Sequence, residues 1–282
     1  MSETRAKRLP VVGSTASSTA FILERVDGLG DTHLYVDGNS KITRGNGTFE
    51  SPRPNAFSLV QVETCPGSTP TCRSSCYVHS LEKAQQEIHA AYRHNTETIR
   101  EILADEILAN DWAMRLASWI TLNAPGGFRW HVSGDVFSLE YAKWIADVCR
   151  EAPTVPFWIY TRSFEFLAPL VEVCTFRGGG NLAINLSADQ DNYVAAVSAS
   201  LIPGEVPPLT LAYLTTDGSL PEALCPTDVV FPDYSLRPRQ YATLAESPWW
   251  QALSADQRAM VCPVDSFGKS EKRRCGPCAR CL

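Results

Sequence analysis

The sequence predicts an α/β fold: a partial or complete TIM-like (βα) barrel of parallel strands. A small N-terminal β-hairpin layer precedes it and a cysteine-rich C-terminal tail follows. Three observations lead there. From Phe128 onward, apolar runs of about five to eight residues alternate with amphipathic segments of about a dozen, which is the pattern of βαβ units. Six strand-like segments occur in all, enough for a barrel, with a doubly wound open sheet as the alternative. Each of the six ends in polar or metal-binding residues, and in such folds those ends converge on one face.

In chain order, residues 1 to 20 are rich in Ser and Thr without periodicity and read as a loose arm. Thr32-His-Leu-Tyr-Val and Lys41-Ile-Thr alternate apolar with polar residues. Gly28, Gly30, Asp37-Gly38 and Gly45-Asn-Gly47 punctuate them, which predicts a hairpin layer over 1–50. The barrel is expected over 51–235, beginning with a strand at Asn55–Val62 that runs into a cysteine loop. Helices are expected at 80–93 and 96–122, the second from Ile102, Leu103, Ile107, Leu108, Trp112, Leu116, Trp119 and Ile120 at three- and four-residue steps. The strands at 128–133, 155–161, 181–187, 209–215 and 228–231 follow, with helices at 139–150, 164–174 and 191–201 between the first four. Residues 236–282 hold one helix at about 239–253 and then the cysteine tail.

Composition limits the function classes. A charged content of 20% and hydrophobic content of 44% describe a globular chain of 282 residues with a sizeable core. The formal charge of -6 disfavours a general nucleic-acid coat. No apolar run approaches the ~18 residues of a membrane span. The N-terminus carries basic residues without an apolar segment after them, so the expected location is the cytoplasm. In a reducing compartment the chain's 10 cysteines read as metal or redox chemistry rather than disulfides.

Two clusters concentrate that chemistry. Cys65, Cys72 and Cys76 lie on a Gly/Pro/Ser loop after the first strand. Three thiolates suit a [4Fe-4S] cluster with one iron left open. His79 is a further candidate ligand, in a Cys72-x3-Cys76-x2-His79 frame. The tail carries Cys262, Cys275, Cys278 and Cys281, and its C-x2-C-x2-C step favours iron–sulfur, with structural zinc as the alternative. The two sets make two centres, or the tail completes the first. Lys272-Arg273-Arg274 and Arg280 would offset thiolate charge, form a solvated tail, or contact RNA or DNA phosphates. Cys149 and Cys174 fall on apolar helix faces and read as buried hydrophobes.

At the strand ends, Asp135 and Arg162 are the candidate catalytic or positioning groups. Ser133, Gly134, Asn185 and Ser187 are the candidate cofactor-binding residues. Asp135 reads equally well as a helix N-cap. Trp130, Trp158 and Tyr160 read as core rather than stacking platforms.

Asn39-Ser-Lys41, Thr64-Cys-Pro-Gly-Ser, Cys72-x3-Cys76-Tyr77, His131-Val-Ser-Gly-Asp135, Phe157-Trp-Ile-Tyr-Thr-Arg-Ser163, Asn185-Leu-Ser187 and the cysteine ending together resemble the bacteriophage gene product 88 family. That resemblance covers most of 39–281 and implies a phage origin and little about mechanism, which makes the expected location the host-cell cytoplasm; the expected partner is an unknown small-molecule substrate or a host macromolecule. More remotely, the layout is similar to radical S-adenosylmethionine barrel enzymes. In that likeness Ser133-Gly134-Asp135 stands where the methionine amino group of S-adenosylmethionine is held, although the C-x3-C-x2-C of those enzymes is absent here.

Overall fold

The computed structural model describes residues 21–28, 30–39, 53–175, 180–201, 209–236 and 243–263. Eight strands form one sheet in sequential order: β1 (Phe21–Asp27), β2 (His33–Asn39), β3 (Ala56–Phe57), β4 (Phe128–Trp130), β5 (Phe157–Thr161), β6 (Leu182–Ala188), β7 (Thr210–Thr215) and β8 (Val229–Pro232). β1 and β2 form an antiparallel hairpin that pairs antiparallel to β3, and every pairing from β3 to β8 is parallel. The hairpin layer and the six parallel strands therefore match the expectation.

The sheet is open: among the described residues no ladder joins β8 to β1, so a complete barrel is corrected to an unclosed sheet. It is nevertheless strongly curved. The rings of Tyr160 on β5 and Phe231 on β8 meet edge to face at 5.9 Å. Three strand spacings on a flat sheet would hold their backbones about 14 Å apart, with side chains standing perpendicular. The face carrying both rings is therefore concave.

The convex face is mainly apolar. Phe57, Phe128, Trp130, Phe157, Ile159, Leu182, Ile184, Leu186 and Leu211 pack under α4 (Glu106–Asn123), α5 (Leu139–Glu151), α6 (Leu167–Val171) and α7 (Tyr193–Ser200) in one continuous core. A second cluster on the concave side joins Ala56, Val60, Val132, Trp158 and Ala183 to α2 (Tyr77–Ala84) and α3 (Gln86–Leu103) through Val78, Ile88, Ala91 and Tyr92. Trp130 and Trp158 are core, as expected. Cys149 and Cys174 are buried in the convex core.

The helix boundaries depart from the sequence pattern in instructive ways. α3 runs through the expected break at 93–96, and the chain turns instead at Asp105, whose carboxylate caps α4 by accepting from the amides of Ile107 and Leu108. Asp37-Gly38 is not a turn but part of β2, where the backbone of Arg53 and Pro54 passes too close to Gly38 for a Cβ. The expected helix at 239–253 is in its described part a 3-10 turn at Leu244–Glu246 and α8 (Pro248–Ala252), with Pro248 in the first turn. Ser254 opens α9 (Ala255–Met260) with a capping box.

Candidate metal centre

The chain leaves β3 and remains extended and buried to Val60, where a strained turn begins. Val62 has φ +66°, and the Glu63 amide donates to the Gln61 carbonyl at 2.8 Å, closing a γ-turn around a β-branched residue. The cysteine loop and the short helix α1 (Pro70–Ser74) follow.

Three contacts pin that loop to the carboxyl ends of β5 and β6. Gly67 lies against the backbone of Arg162, where any Cβ would collide with the carbonyl. The Thr69 hydroxyl donates to Asp189 Oδ2 at 2.6 Å while accepting from the Cys72 amide as the N-cap of α1. The Thr71 amide donates to Asp191 Oδ2 at 2.9 Å. Asp189 also accepts from Arg162 Nη1 at 2.7 Å in an ion pair whose carboxylate is wholly buried, and from the Asp191 amide at 2.9 Å.

Asp135 lies beneath the loop. Its amide donates to the Thr64 carbonyl at 3.1 Å, and its carboxylate accepts from the amides of Val136 at 2.7 Å and Arg162 at 2.8 Å. It does not cap α5; the Ser138 hydroxyl does. Burial holds the Asp135 carboxyl above its usual range, opposed by those donors. Gly134, at φ +80°, approaches Thr64 Oγ1 and Leu59 so closely that a Cβ would sit within 2.7 Å of both. Ser133 is buried and its hydroxyl donates to Glu82 Oε1 at 3.3 Å; the other Glu82 oxygen contacts His89 Nδ1 at 2.9 Å.

The three loop thiols are free, half-buried and within electrostatic reach of one another. Burial pushes Cys65 up to about 12, with Asp135, Cys72 and Cys76 adding to the rise. Burial also raises Cys72, and the Arg162 guanidinium opposes that rise. Cys76 Sγ donates to Gln61 Oε1 at 3.4 Å, and the Gln61 amide nitrogen is 3.0 Å from His79 Nδ1, so His79 is engaged through Gln61.

The donor set suits a soft metal: three thiols on one loop, a nearby guanidinium to balance thiolate charge, and partial exclusion of water. As placed, no three His, Cys, Asp or Glu side chains among the described residues form a ready ligand set. Ligation therefore asks for rotation of the half-buried thiols toward a common point.

The structure brings together Cys65, Cys72, Cys76, Asp135 and Arg162. Cys262 sits at the β8 edge. Its amide donates to the Val230 carbonyl at 2.9 Å and its side chain packs with Val229 and Phe231. Cys275, Cys278, Cys281 and the basic run lie outside the described residues. Asn185 is buried in β6 and donates to the Ile159 carbonyl at 3.3 Å, while Ser187 is half-buried and its carbonyl accepts from Asn192. The sequence pattern undervalued Asp189 and Thr69. Their signal was present: an acid just past β6 and an N-cap threonine before Pro70.

Residues 33–282 match the family model described as Gene product 88. The chain belongs to the gene product 88 family. The Gene 88 protein of Mycobacterium phage L5 is 30% identical over 204 residues, covering 71% of this chain and 79% of the phage L5 protein. No solved structure matches the chain, so the likeness to radical S-adenosylmethionine enzymes gains no support from the comparisons. The gene product 88 match spans the cysteine loop, the Asp135 turn, Arg162 and the tail cysteines together. No helix among the described residues is long and apolar enough to cross a membrane.

Proposed function

We propose that this gene product 88 protein is a phage metalloprotein that binds an iron–sulfur cluster through Cys65, Cys72 and Cys76 at the carboxyl ends of a curved, partial-barrel sheet. The observation that carries this reading is the joint anchoring of the loop. Gly67, Thr69 and Thr71 tie it to the ends of β5 and β6, while its three thiols stay free and half-buried beside Arg162. A loop held only for folding would gain nothing from placing three thiols against one another and a buried carboxylate. When bound, such a cluster supplies an iron site for electron transfer or ligand activation. The protein's own residues hold the loop in place, balance its charge through Arg162 and restrict water.

Cys262, Cys275, Cys278 and Cys281 would bind a second centre, iron–sulfur or zinc, or complete the first. Cys262 packs with Val229 and Phe231 at the β8 edge, which sets the tail's starting point.

Anaerobic purification with iron, sulfide and zinc analysis tests the reading. We expect a brown protein whose iron and sulfide fall by at least half in Cys65→Ser, Cys72→Ser and Cys76→Ser. A colourless, zinc-only preparation overturns the iron assignment. Loop variants with full iron and sulfide overturn the choice of ligands. Incubation of the reduced protein with S-adenosylmethionine then divides an enzyme from a binder. Release of 5′-deoxyadenosine marks the first; a stable cluster with salt-sensitive retention of RNA marks the second.

A further inference from the structure

α4 differs from its neighbour α5 in what it turns outward. On α5 the exposed positions include Glu140, Lys143 and Arg150. On α4 the exposed positions from Ile107 to Leu122 are Ile107, Asn110, Met114, Ser118, Thr121 and Leu122, none of them charged. Ile107 is 83% exposed, Met114 51% and Leu122 80%. The inner face is apolar as well, with Trp112, Ala113, Leu116, Ala117 and Ile120 in the main core. A helix apolar on both sides has the pattern of one that is buried on both sides.

At about 3.6 residues per turn, Ile107, Asp111, Met114, Ser118 and Leu122 fall on one stripe. The stripe is symmetric about its middle. Ile107 and Leu122 each lie about 11 Å along the axis from the midpoint between Met114 and Arg115, at about 1.5 Å per residue. The charges sit near that midpoint, where Arg115 Nε donates to Asp111 Oδ2. Beside them a hollow of about 420 Å³ lies between α4 and the end of β1, with Val26 and Trp119 on its walls along with Asp111 and Arg115.

A second copy laid antiparallel on this stripe meets its own complement. Ile107 of each copy then faces Leu122 of the other, at both ends. At the centre the two Asp111–Arg115 pairs come together, each guanidinium within reach of Asp111 of the other copy and of the hollow beside Trp119. A parallel pairing would set Asp111 against Asp111 and Arg115 against Arg115, like charge on like charge. The charges therefore choose the antiparallel orientation. A face one helix long, about 27 Å, is at the small end of specific interfaces, so the pair should form and separate in the micromolar range.

We infer that the outer stripe of α4 is a self-association surface on which a second copy of this chain docks antiparallel, closing a symmetric dimer. None of its residues belongs to the cysteine loop, so the surface stands whether or not that loop holds a metal.

Sedimentation velocity of the full-length protein across the micromolar range tests this. We expect the mass to rise with concentration from one chain to two. Ile107→Glu and Leu122→Lys should each weaken self-association at least tenfold and leave the unfolding curve native. The double variant I107E/L122K should associate more tightly than either single, and lose that gain in high salt. Positions 107 and 122 are about 22 Å apart within one helix, so only an antiparallel partner can bring the new charges together. A mass of one chain throughout, as when another segment or a different protein covers α4, overturns the inference. So does unchanged association in both singles, or a double variant no tighter than they are. If either single does not fold, Met114→Lys decides, and unchanged association there overturns it too.

Discussion

Severing the Arg162–Asp189 ion pair should loosen the cysteine loop and destabilise the whole chain. The two side chains are 10% and 0% exposed, with Nη1 and Oδ2 2.7 Å apart. Removing one partner of such a pair leaves a buried charge and typically costs about 3–5 kcal/mol. Arg162→Met leaves Asp189 with only neutral donors, the Thr69 hydroxyl and the Asp191 amide, so about 3 kcal/mol is expected. Asp189→Asn strands the guanidinium and weakens the bond to Thr69, for a similar loss. The double variant removes both charges, and its cost should fall short of the sum by about 2 kcal/mol or more, since the sites share one contact. Urea unfolding followed by tryptophan fluorescence and far-UV dichroism gives these values where the two transitions coincide. Amide exchange over residues 65–76 should quicken in each single variant, because Thr69 loses its anchor. Additivity within about 0.5 kcal/mol, with unchanged loop exchange, would refute the view that this pair clamps the loop.

Four further outcomes follow from the same coordinates. Burial raises the Asp37 carboxyl to about 6, so its ionisation costs the folded state nothing below about pH 4 and about 3 kcal/mol once the pH has passed 6; Asp37→Asn should flatten that decline relative to wild type in urea titrations at pH 4.5 and 7.5. His131 is buried with its pKa lowered to about 3, so it destabilises the fold progressively as pH falls from about 6.5; His131→Asn, which tolerates the φ of +60°, should shift the acid unfolding midpoint downward. Gly134→Ala adds a Cβ at 2.6 Å from Thr64 Oγ1 in a left-handed conformation and should cost about 2–4 kcal/mol in the same unfolding assay. Val62 is 53% exposed at φ +66°, so Val62→Asn should relieve strain and raise stability by about 1 kcal/mol; a loss of stability would show that the turn is not strained.

Much of the architecture could be read in the sequence because parallel strands buried on both faces over most of their length carry unbroken apolar runs. Phe157–Thr161 and Leu182–Ala188 stand out for that reason. The helix boundary was misplaced at His94-Asn95-Thr96 because polar residues inside a helix look like a linker. Asn95 and Thr96 are instead buried fasteners. The Asn95 side chain accepts from the Tyr35 amide and donates to the Tyr35 and Ser58 carbonyls, and the Thr96 hydroxyl accepts from the Val60 amide. Asp37-Gly38 imitates a turn for a similar reason, since its carboxylate accepts from Tyr92, fifty-five residues away, and from Ser58. Those partners are long-range, so a local pattern cannot announce them. The loop cysteines were legible as a group, but the residues that fix the loop were not, because Thr69 and Asp189 are 120 positions apart.

That anchoring bears on what the loop is built to do. The backbone is fixed where it touches the sheet ends, at Gly67, Thr69 and Thr71, by one close approach and two hydrogen bonds to carboxylates. The thiols, by contrast, are half-buried, and the hydrogen bond made by Cys76 Sγ is a weak sulfur donor bond to Gln61. The buried side chains of the loop are its threonines, Thr64, Thr69 and Thr71, while the three thiols stay half-buried. Restraining the main chain while leaving sulfur rotamers free lowers the ordering cost of gathering thiols on a soft ion, and it keeps the strain at Val62 local to the chain's exit from the sheet. Arg162 serves both ends of this arrangement, since it is clamped through Asp189 and its positive charge favours thiolate at Cys72. The same guanidinium therefore couples loop position to loop charge, so replacing it should disturb metal retention more than its loss of stability alone would explain.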